Sequence, residues 1–277
     1  MKKLHHFFLF LINSNIFVSF CVLSLAISSE FLVVKSKILF PSEVSLFVFF
    51  ATIFTYNFQR IVRISKSQKH NRKDWTQKNK FLIYLVMIIS SVISLYFFSK
   101  FKTNTQIAII FSGIISILYP FGLRTIPFSK IFVISLIWTT STMLLFILEE
   151  GIVFSSNVIA HLLIRFLFVF AICIPFDIRD VKYDNIKLKT IPIVFGVLRS
   201  KLISFICLLF VIIISTFQYW NNKLSIGFFV AISLSCIVSS IFIKKSNEKK
   251  SEFFFSFWVE SLSILLYLFL VISITLF

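Results

Sequence analysis

Long apolar stretches separated by short polar segments dominate this sequence. Nine apolar windows of about 20 residues cover residues 7–28, 42–64, 81–99, 104–121, 129–148, 155–176, 201–221, 224–243 and 253–277. In a bilayer, a stretch of this length satisfies its backbone polar groups as an α-helix. Transmembrane β-strands would instead alternate polar and apolar residues in segments of about ten. The pattern therefore predicts an all-α polytopic membrane protein with nine transmembrane helices.

The composition agrees with this prediction. Hydrophobic residues make up 58% of the 277 residues and charged residues only 14%, which lies outside the range of ordinary soluble domains. The sequence has no Gly/Ser linker and no Pro-rich segment, so a single transmembrane domain is expected over residues 1–277. All four cysteines fall in apolar windows without CxxC spacing and are expected to be buried hydrophobic side chains.

The distribution of the 28 Lys and Arg residues predicts the orientation of the helices. With a cytoplasmic N-terminus, most of them fall at cytoplasmic helix ends, which is the asymmetry that the positive-inside rule describes. The chain is thus expected in the cytoplasmic membrane, with its C-terminus outside. Orientation and contact with anionic headgroups account for the net charge of +17, so no nucleic-acid partner is expected. The predicted outer loops carry only Lys35, Lys37, Lys100, Lys102 and Lys223.

The segment "FDIRDVKYD", residues 176–184, holds three of the 11 acidic residues at the end of an apolar window. If the segment is helical, Asp177, Asp180 and Asp184 lie within about 60° of one another, and Arg179 and Lys182 point the other way. Carboxylates on one face repel each other unless they are hydrated or share a cation. Two interpretations follow: a solvated loop of mixed charge, or a platform for Mg²⁺, which prefers carboxylate oxygens and commonly bridges them to a diphosphate.

Two segments resemble a known family, the UbiA-type intramembrane prenyltransferases. "FDIRDVKYD" followed by "KTIPIVFG", residues 189–196, resembles the family's second aspartate motif, in which a DxxD or DxxxD cluster precedes Lys/Arg-Thr-x-Pro and a Gly. "LYPFGLRTIPFSKIFVISLIWT", residues 118–139, resembles its Tyr-x-x-x-(Lys/Arg) segment between the fourth and fifth helices, with Tyr119, Arg124 and Lys130 as the matching polar residues. Nine helices and a cytoplasmic N-terminus also agree with the family.

The resemblance implies a UbiA-like bundle of nine helices around a central cavity, with Mg²⁺ and a prenyl diphosphate at its mouth. Asp177, Asp180 and Asp184 would be the catalytic metal ligands. Tyr119, Arg124 and Lys189 would bind the diphosphate, together with residues of the first motif described next. The implied reaction is Mg²⁺-dependent transfer of a prenyl group to a lipophilic, aromatic acceptor within the membrane lipid.

The family's first motif, NDxxDxxxD, has lost its acids in this sequence. The corresponding segment is "TYNFQRIVRISKS", residues 55–67, in which Asn57 stands for the Asn but Phe58, Ile61 and Ser65 stand at the Asp positions. Asn57, Arg60 and Arg63 form a polar stripe on a helix. The arginines either bind the diphosphate directly, in place of a metal, or anchor the helix end at the headgroups.

The degenerate motif leaves two functions open. The first is the Mg²⁺-dependent prenyltransferase, and the alternative is a catalytically silent protein that binds or transports a prenyl lipid. CDP-alcohol phosphotransferases also use an intramembrane aspartate cluster, but their DG followed by AR does not occur here. Elsewhere, Arg165 lies inside a predicted span, where charge is costly, and is expected to pair with Glu260.

Overall fold

Helices run along almost all of the described chain. The structure, a computed structural model, describes residues 2–34, 41–66, 73–123, 126–182 and 188–276, without the side chains of residues 2–7, 34, 63–66 and 73. The α-helices are α1 (Lys2–Asn13), α2 (Ile16–Val34), α3 (Glu43–Lys66), α4 (Lys73–Lys78), α5 (Lys80–Phe98), α6 (Thr103–Leu118), α7 (Ser129–Thr139), α8 (Leu145–Glu150), α9 (Ser156–Asp180), α10 (Ile191–Trp220), α11 (Ile226–Lys245) and α12 (Leu262–Leu276). Two π-helical segments, Thr140–Leu144 and Phe254–Val259, precede α8 and α12.

Eight helical segments of the described residues are long and apolar enough to cross a membrane. They contain α2, α3, α5, α7 with α8, α9, α10, α11, and α12 with its preceding π-helical segment. The predicted span 104–121 corresponds to α6, which has only 16 residues. At 1.5 Å per residue α6 is about 24 Å long, against a hydrocarbon core of about 30 Å. The all-helical, multi-pass fold is confirmed. The predicted span 104–121, however, is an apolar helix too short to be counted with the other eight.

The first predicted span, 7–28, is wrong in its position. The helix is interrupted between α1 and α2, and the membrane-spanning segment begins at Ile16. Asn15 lies at the break with φ 60°, a left-handed conformation that asparagine tolerates better than most residues. The break coincides with three consecutive polar residues, Asn13, Ser14 and Asn15, which the average hydropathy of the whole window conceals.

The two helices that carry the second aspartate motif are longer than predicted. α9 runs through Pro175 and ends at Asp180. α10 begins at Ile191, with Pro192 in its first turn, where the missing N–H has no helical partner to lose. Gly196 bends α10 with φ 79° and ψ 161°, a conformation almost restricted to glycine. The motif therefore extends from the end of α9 to a bend near the start of α10.

Helices α2 and α9 are the most enclosed spans of the bundle. Of their membrane-spanning residues, 72% and 61% are buried, compared with 22% in both α5 and α10. α9 packs against α2, α7, α10 and α11. The outer faces of α5 and α10 expose large apolar side chains such as Ile88, Val92 and Leu198, as lipid contact requires. The end of α9 with its aspartates is thus surrounded by other helices.

Candidate active site

Lys130 draws Asp177 and Asp180 together. It is the second residue of α7, and its Nζ lies 2.8 Å from Asp177 Oδ1 and 2.7 Å from Asp180 Oδ2. The two aspartates are three residues apart on α9, so that they share one face of that helix. Lys130 is only 7% exposed and Asp177 3%. Two carboxylates therefore converge on a single buried cation at the C-terminal end of α9.

Arg179 supplies a second cation to the same cluster. Its Nε lies 2.8 Å from Asp180 Oδ1, and its Nη1 lies 3.5 Å from Glu252 Oε1. The guanidinium also lies over the rings of Phe176 and Phe255, at 5.4 Å and 5.8 Å from the ring centroids. Helical spacing predicted Arg179 on the opposite face from the acids. This is wrong because the long side chain folds back onto the neighbouring carboxylate, which leaves Asp180 with one cation at each oxygen.

The two segments that resemble the family meet beside this cluster. The Phe128 N–H donates to the Lys189 carbonyl oxygen at 3.3 Å, and the rings of Phe128 and Phe195 stack with centroids 5.9 Å apart. Phe128 and Lys189 adopt left-handed conformations with φ 60° and 42°, each costing about 1–2 kcal/mol. Such strain persists only where the surrounding structure enforces it, and it is frequent at functional sites. The contact places the start of α7 next to the start of α10.

The other predicted diphosphate donors of these segments lie in different environments. Tyr119 follows α6 and is 5% exposed. Lys189 is exposed just before α10. Arg124 and Asp184 lie outside the described residues. A role for these four residues in binding metal or diphosphate stays a prediction.

Asn57 joins α3 to the break between α1 and α2. Its Nδ2 donates to the carbonyl oxygens of Ser14 and Ile53, both at 2.9 Å. Its Oδ1 accepts a hydrogen bond from Asn15 Nδ2, also at 2.9 Å. Asn57 is 1% exposed, and the last carbonyls of an interrupted helix need partners outside the helix. The side chain thus stabilises the α1–α2 junction.

Arg60 contacts the same junction one turn further along α3. Its guanidinium donates to the Asn13 carbonyl oxygen and to Asn15 Oδ1, and the residue is 7% exposed. The side chain of Arg63 lies outside the described part of the chain. Asn57 and Arg60 therefore belong to one polar cluster, as the helical spacing predicts. Their expected contact with a diphosphate stays a prediction.

The carboxylates of α9 have the donor chemistry for one Mg²⁺ ion. Asp177 Oδ1 and Asp180 Oδ2 both lie within 2.8 Å of one point, the position of Lys130 Nζ. Mg²⁺ is usually bound through one or two carboxylates, with water and substrate phosphates as its remaining ligands. Within the described residues no group of three or more His, Cys, Asp or Glu side chains could hold a metal. The second motif fits one metal ion if Lys130 moves, whereas Asn57 and Arg60 on α3 offer no carboxylate.

Lys130 is the site residue whose contact with the aspartates was not predicted. The sequence did carry a signal, because a lysine just inside a predicted span is costly unless it finds an acidic partner. Only a few acids lie at the same predicted membrane side, and Asp177 and Asp180 are among them.

Arg165 contacts α2. Its Nη2 donates to Ser29 Oγ at 2.9 Å, and its expected pairing with Glu260 stays a prediction. The residue is 2% exposed and lines a small apolar cavity together with His161 and Phe168.

Comparison with known proteins supports the resemblance. The sequence model of the UbiA prenyltransferase family matches residues 67–262. The structure is similar to that of a UbiA homolog from Archaeoglobus fulgidus bound to GPP and Mg²⁺, with a TM-score of 0.69 and 15% identity over 96% of this chain and 99% of that chain. It is also similar to a digeranylgeranylglyceryl phosphate synthase, with a TM-score of 0.58 and 18% identity over 99% of both chains. At these identities the structural likeness shows a shared fold. A search of curated proteins gave no match.

Proposed function

We propose, since the chain belongs to the UbiA prenyltransferase family, that it transfers a prenyl group from a prenyl diphosphate to a lipophilic, aromatic acceptor within the membrane. The observation that carries this proposal is the convergence of Asp177 and Asp180 at the enclosed end of α9. A buried carboxylate pair is costly for a membrane protein unless it binds cations, and intramembrane carboxylates usually mark functional sites.

Each residue of the cluster has a distinct chemical role in this proposal. Asp177 and Asp180 would hold one Mg²⁺, which when bound supplies positive charge that stabilises a departing diphosphate. Lys130 and Lys189 would donate charge-assisted hydrogen bonds to the diphosphate oxygens, with Tyr119 and Arg124 as further donors. The surrounding helices would exclude water, so that the allylic cation formed when the C–O bond breaks meets the acceptor before it meets water.

The structural relatives support the choice of donor substrate. The Archaeoglobus fulgidus UbiA homolog has been solved with GPP and with DMAPP, each together with Mg²⁺. These two donors differ in prenyl length, and the same fold therefore accepts more than one chain length in that homolog. For the present chain we propose an allylic prenyl diphosphate of unspecified length as donor.

A second candidate function is supported by α3. Asn57 and Arg60 hold the α1–α2 junction, and the family match begins only at residue 67, the last residue of the first-motif segment. A site with carboxylates on one side only would favour the binding or transport of a prenyl lipid without turnover. The two functions differ in whether diphosphate is released.

A transfer assay separates the two functions. The purified chain in lipid nanodiscs is incubated with labelled prenyl diphosphates, Mg²⁺ and an extract of membrane lipids and quinone precursors, and both labelled product and released diphosphate are measured. Wild-type protein and the control Asp74→Asn, which changes an exposed acid on α4, should form product, and Asp180→Asn should reduce product to background. Saturable binding of the labelled substrate without any release of diphosphate would support the silent binder and overturn the enzyme.

A further inference from the structure

We infer that Lys130 is an exchangeable counter-ion of the aspartate pair. It holds Asp177 and Asp180 together and passes to the diphosphate oxygens when a divalent cation and a diphosphate bind. The inference rests on the proposed function and describes how the site is loaded. Its distinctive consequence is that the divalent cation alone binds weakly, whereas cation and diphosphate together bind strongly.

The charges of the cluster support exchange at Lys130. The Lys130 ammonium contacts one oxygen of each aspartate at 2.8 Å and 2.7 Å, and Arg179 contacts the other oxygen of Asp180 at 2.8 Å. Each of these two carboxylates thus already has a cationic partner. A divalent cation placed between the carboxylates would lie in direct contact with the ammonium, and repulsion at that distance disfavours binding of both.

Lys130 is better suited to leave than Arg179. The guanidinium of Arg179 has a second acidic partner in Glu252 and lies over two aromatic rings, which fix it on several sides. Lysine carries its charge on a flexible four-carbon chain, and its ammonium forms hydrogen bonds in any direction. The ammonium contacts both carboxylates, so it lies next to any divalent cation that they would bind.

A diphosphate changes the charge balance in favour of exchange. It carries two to three negative charges near neutral pH, which compensate the added divalent cation and give Lys130 a new anionic partner. The two ligands should therefore increase each other's affinity by the same factor. Removing the Lys130 charge should weaken this coupling, because the divalent cation then no longer competes with an ammonium. The part of the coupling that comes from direct contact between the cation and the diphosphate remains.

Binding of Mn²⁺, followed by its electron paramagnetic resonance signal, tests the inference without any turnover. Mn²⁺ stands for Mg²⁺, and inorganic pyrophosphate stands for the diphosphate of the substrate. The full chain in nanodiscs is compared with Lys130→Met, which keeps the length of the side chain, and with Lys130→Arg, which keeps its charge. Lys201→Met is the matched control, because Lys201 Nζ donates to the carbonyl oxygen of Lys244 and lies on another helix.

The expected pattern is specific to exchange. Wild type, Lys201→Met and Lys130→Arg should bind Mn²⁺ weakly alone and about tenfold or more tightly with pyrophosphate. Lys130→Met should bind Mn²⁺ about tenfold more tightly than wild type without pyrophosphate, and pyrophosphate should increase its Mn²⁺ affinity by a smaller factor than in wild type. A merely structural lysine would give the opposite result, because its loss would distort the carboxylates and weaken Mn²⁺ binding.

Three results overturn the inference. The first is Lys130→Met with wild-type or weaker Mn²⁺ affinity. The second is wild-type protein that binds Mn²⁺ equally well with and without pyrophosphate, which decides the matter even if Lys130→Met does not fold. The third is a Lys130→Arg variant that binds Mn²⁺ without pyrophosphate as tightly as the uncharged Lys130→Met is expected to. The proposed function is tested separately. Absence of prenyl transfer together with the expected Mn²⁺ binding pattern would refute the reaction but support the exchange at Lys130. Prenyl transfer without that binding pattern would support the reaction and refute the exchange.

Discussion

Replacing Lys130 by Met should destabilise the protein strongly in the absence of divalent cations. The ammonium forms two ion pairs, at 2.8 Å and 2.7 Å, with side-chain exposures of 9% for Lys130, 4% for Asp177 and 18% for Asp180. The variant keeps the buried carboxylate of Asp177 and the partly exposed carboxylate of Asp180, which have lost their shared cation. Removing one partner of a buried ion pair typically costs about 3–5 kcal/mol. Arg179 remains paired with Asp180.

The size of the chain converts this cost into a measurable shift. At roughly 2 °C per kcal/mol for a chain of this length, the midpoint of thermal unfolding should fall by about 6–10 °C. The assay is thermal unfolding of the purified protein in detergent with EDTA, followed by intrinsic tryptophan fluorescence. Lys201→Met is the control and should shift the midpoint by about 3 °C or less, since a single hydrogen bond contributes roughly 0.5–1.5 kcal/mol.

Divalent cations should stabilise the Lys130→Met variant. Millimolar Mg²⁺ should restore most of the lost stability of Lys130→Met, because a new cation then stands between Asp177 and Asp180. The same Mg²⁺ should change wild-type stability much less. An unchanged unfolding midpoint for Lys130→Met in EDTA would refute the reasoning, since the carboxylates would then have no need of the lysine charge.

Three further substitutions test the fold around the site. Asn57→Ala should lower stability by about 2–4 kcal/mol, because it removes three buried hydrogen bonds, two of them to the α1–α2 junction; stability equal to wild type in thermal unfolding would contradict that role. Gly196→Ala should cost about 1–3 kcal/mol, since φ is 79° and the new Cβ meets open space, so strain alone acts. Gly113→Ala is its control, with open space and no positive φ, and a similar loss there would contradict the strain. Arg165→Met should leave stability unchanged or raise it, because Arg165 Nη1 is buried without a hydrogen-bond partner among the described residues; a loss of several kcal/mol would contradict this.

The membrane-spanning helices were predictable because the bilayer requires long apolar segments with internally satisfied backbones. The break between α1 and α2 was not predictable by the same argument. It depends on hydrogen bonds between Asn15 and Asn57, which are 42 positions apart. Hydropathy carries no information about such a contact. The bend at Gly196 was predictable only in part. The sequence shows a glycine at this position, but it does not show that the glycine adopts a positive φ.

The site shows the same division between local and distant information. Helical spacing placed Asp177 and Asp180 on one face, and the structure brings them to one cation. That the cation is Lys130 depends on the packing of α7 against α9. Lys130 and Asp180 are 50 positions apart in the sequence. Helical spacing did not predict the contact of Arg179 with Asp180, because a long side chain is not confined to the direction of its Cα–Cβ bond.

We propose above all that the aspartates of α9, together with Lys130, bind the prenyl diphosphate. A cryo-EM structure of the chain in nanodiscs with Mg²⁺ and a non-hydrolysable prenyl thiodiphosphate tests this directly. We predict the diphosphate at the end of α9, with Asp177 and Asp180 on a metal ion and the Lys130 ammonium on phosphate oxygens. The account would be contradicted by a diphosphate bound elsewhere in the bundle while Lys130 still bridges the two aspartates.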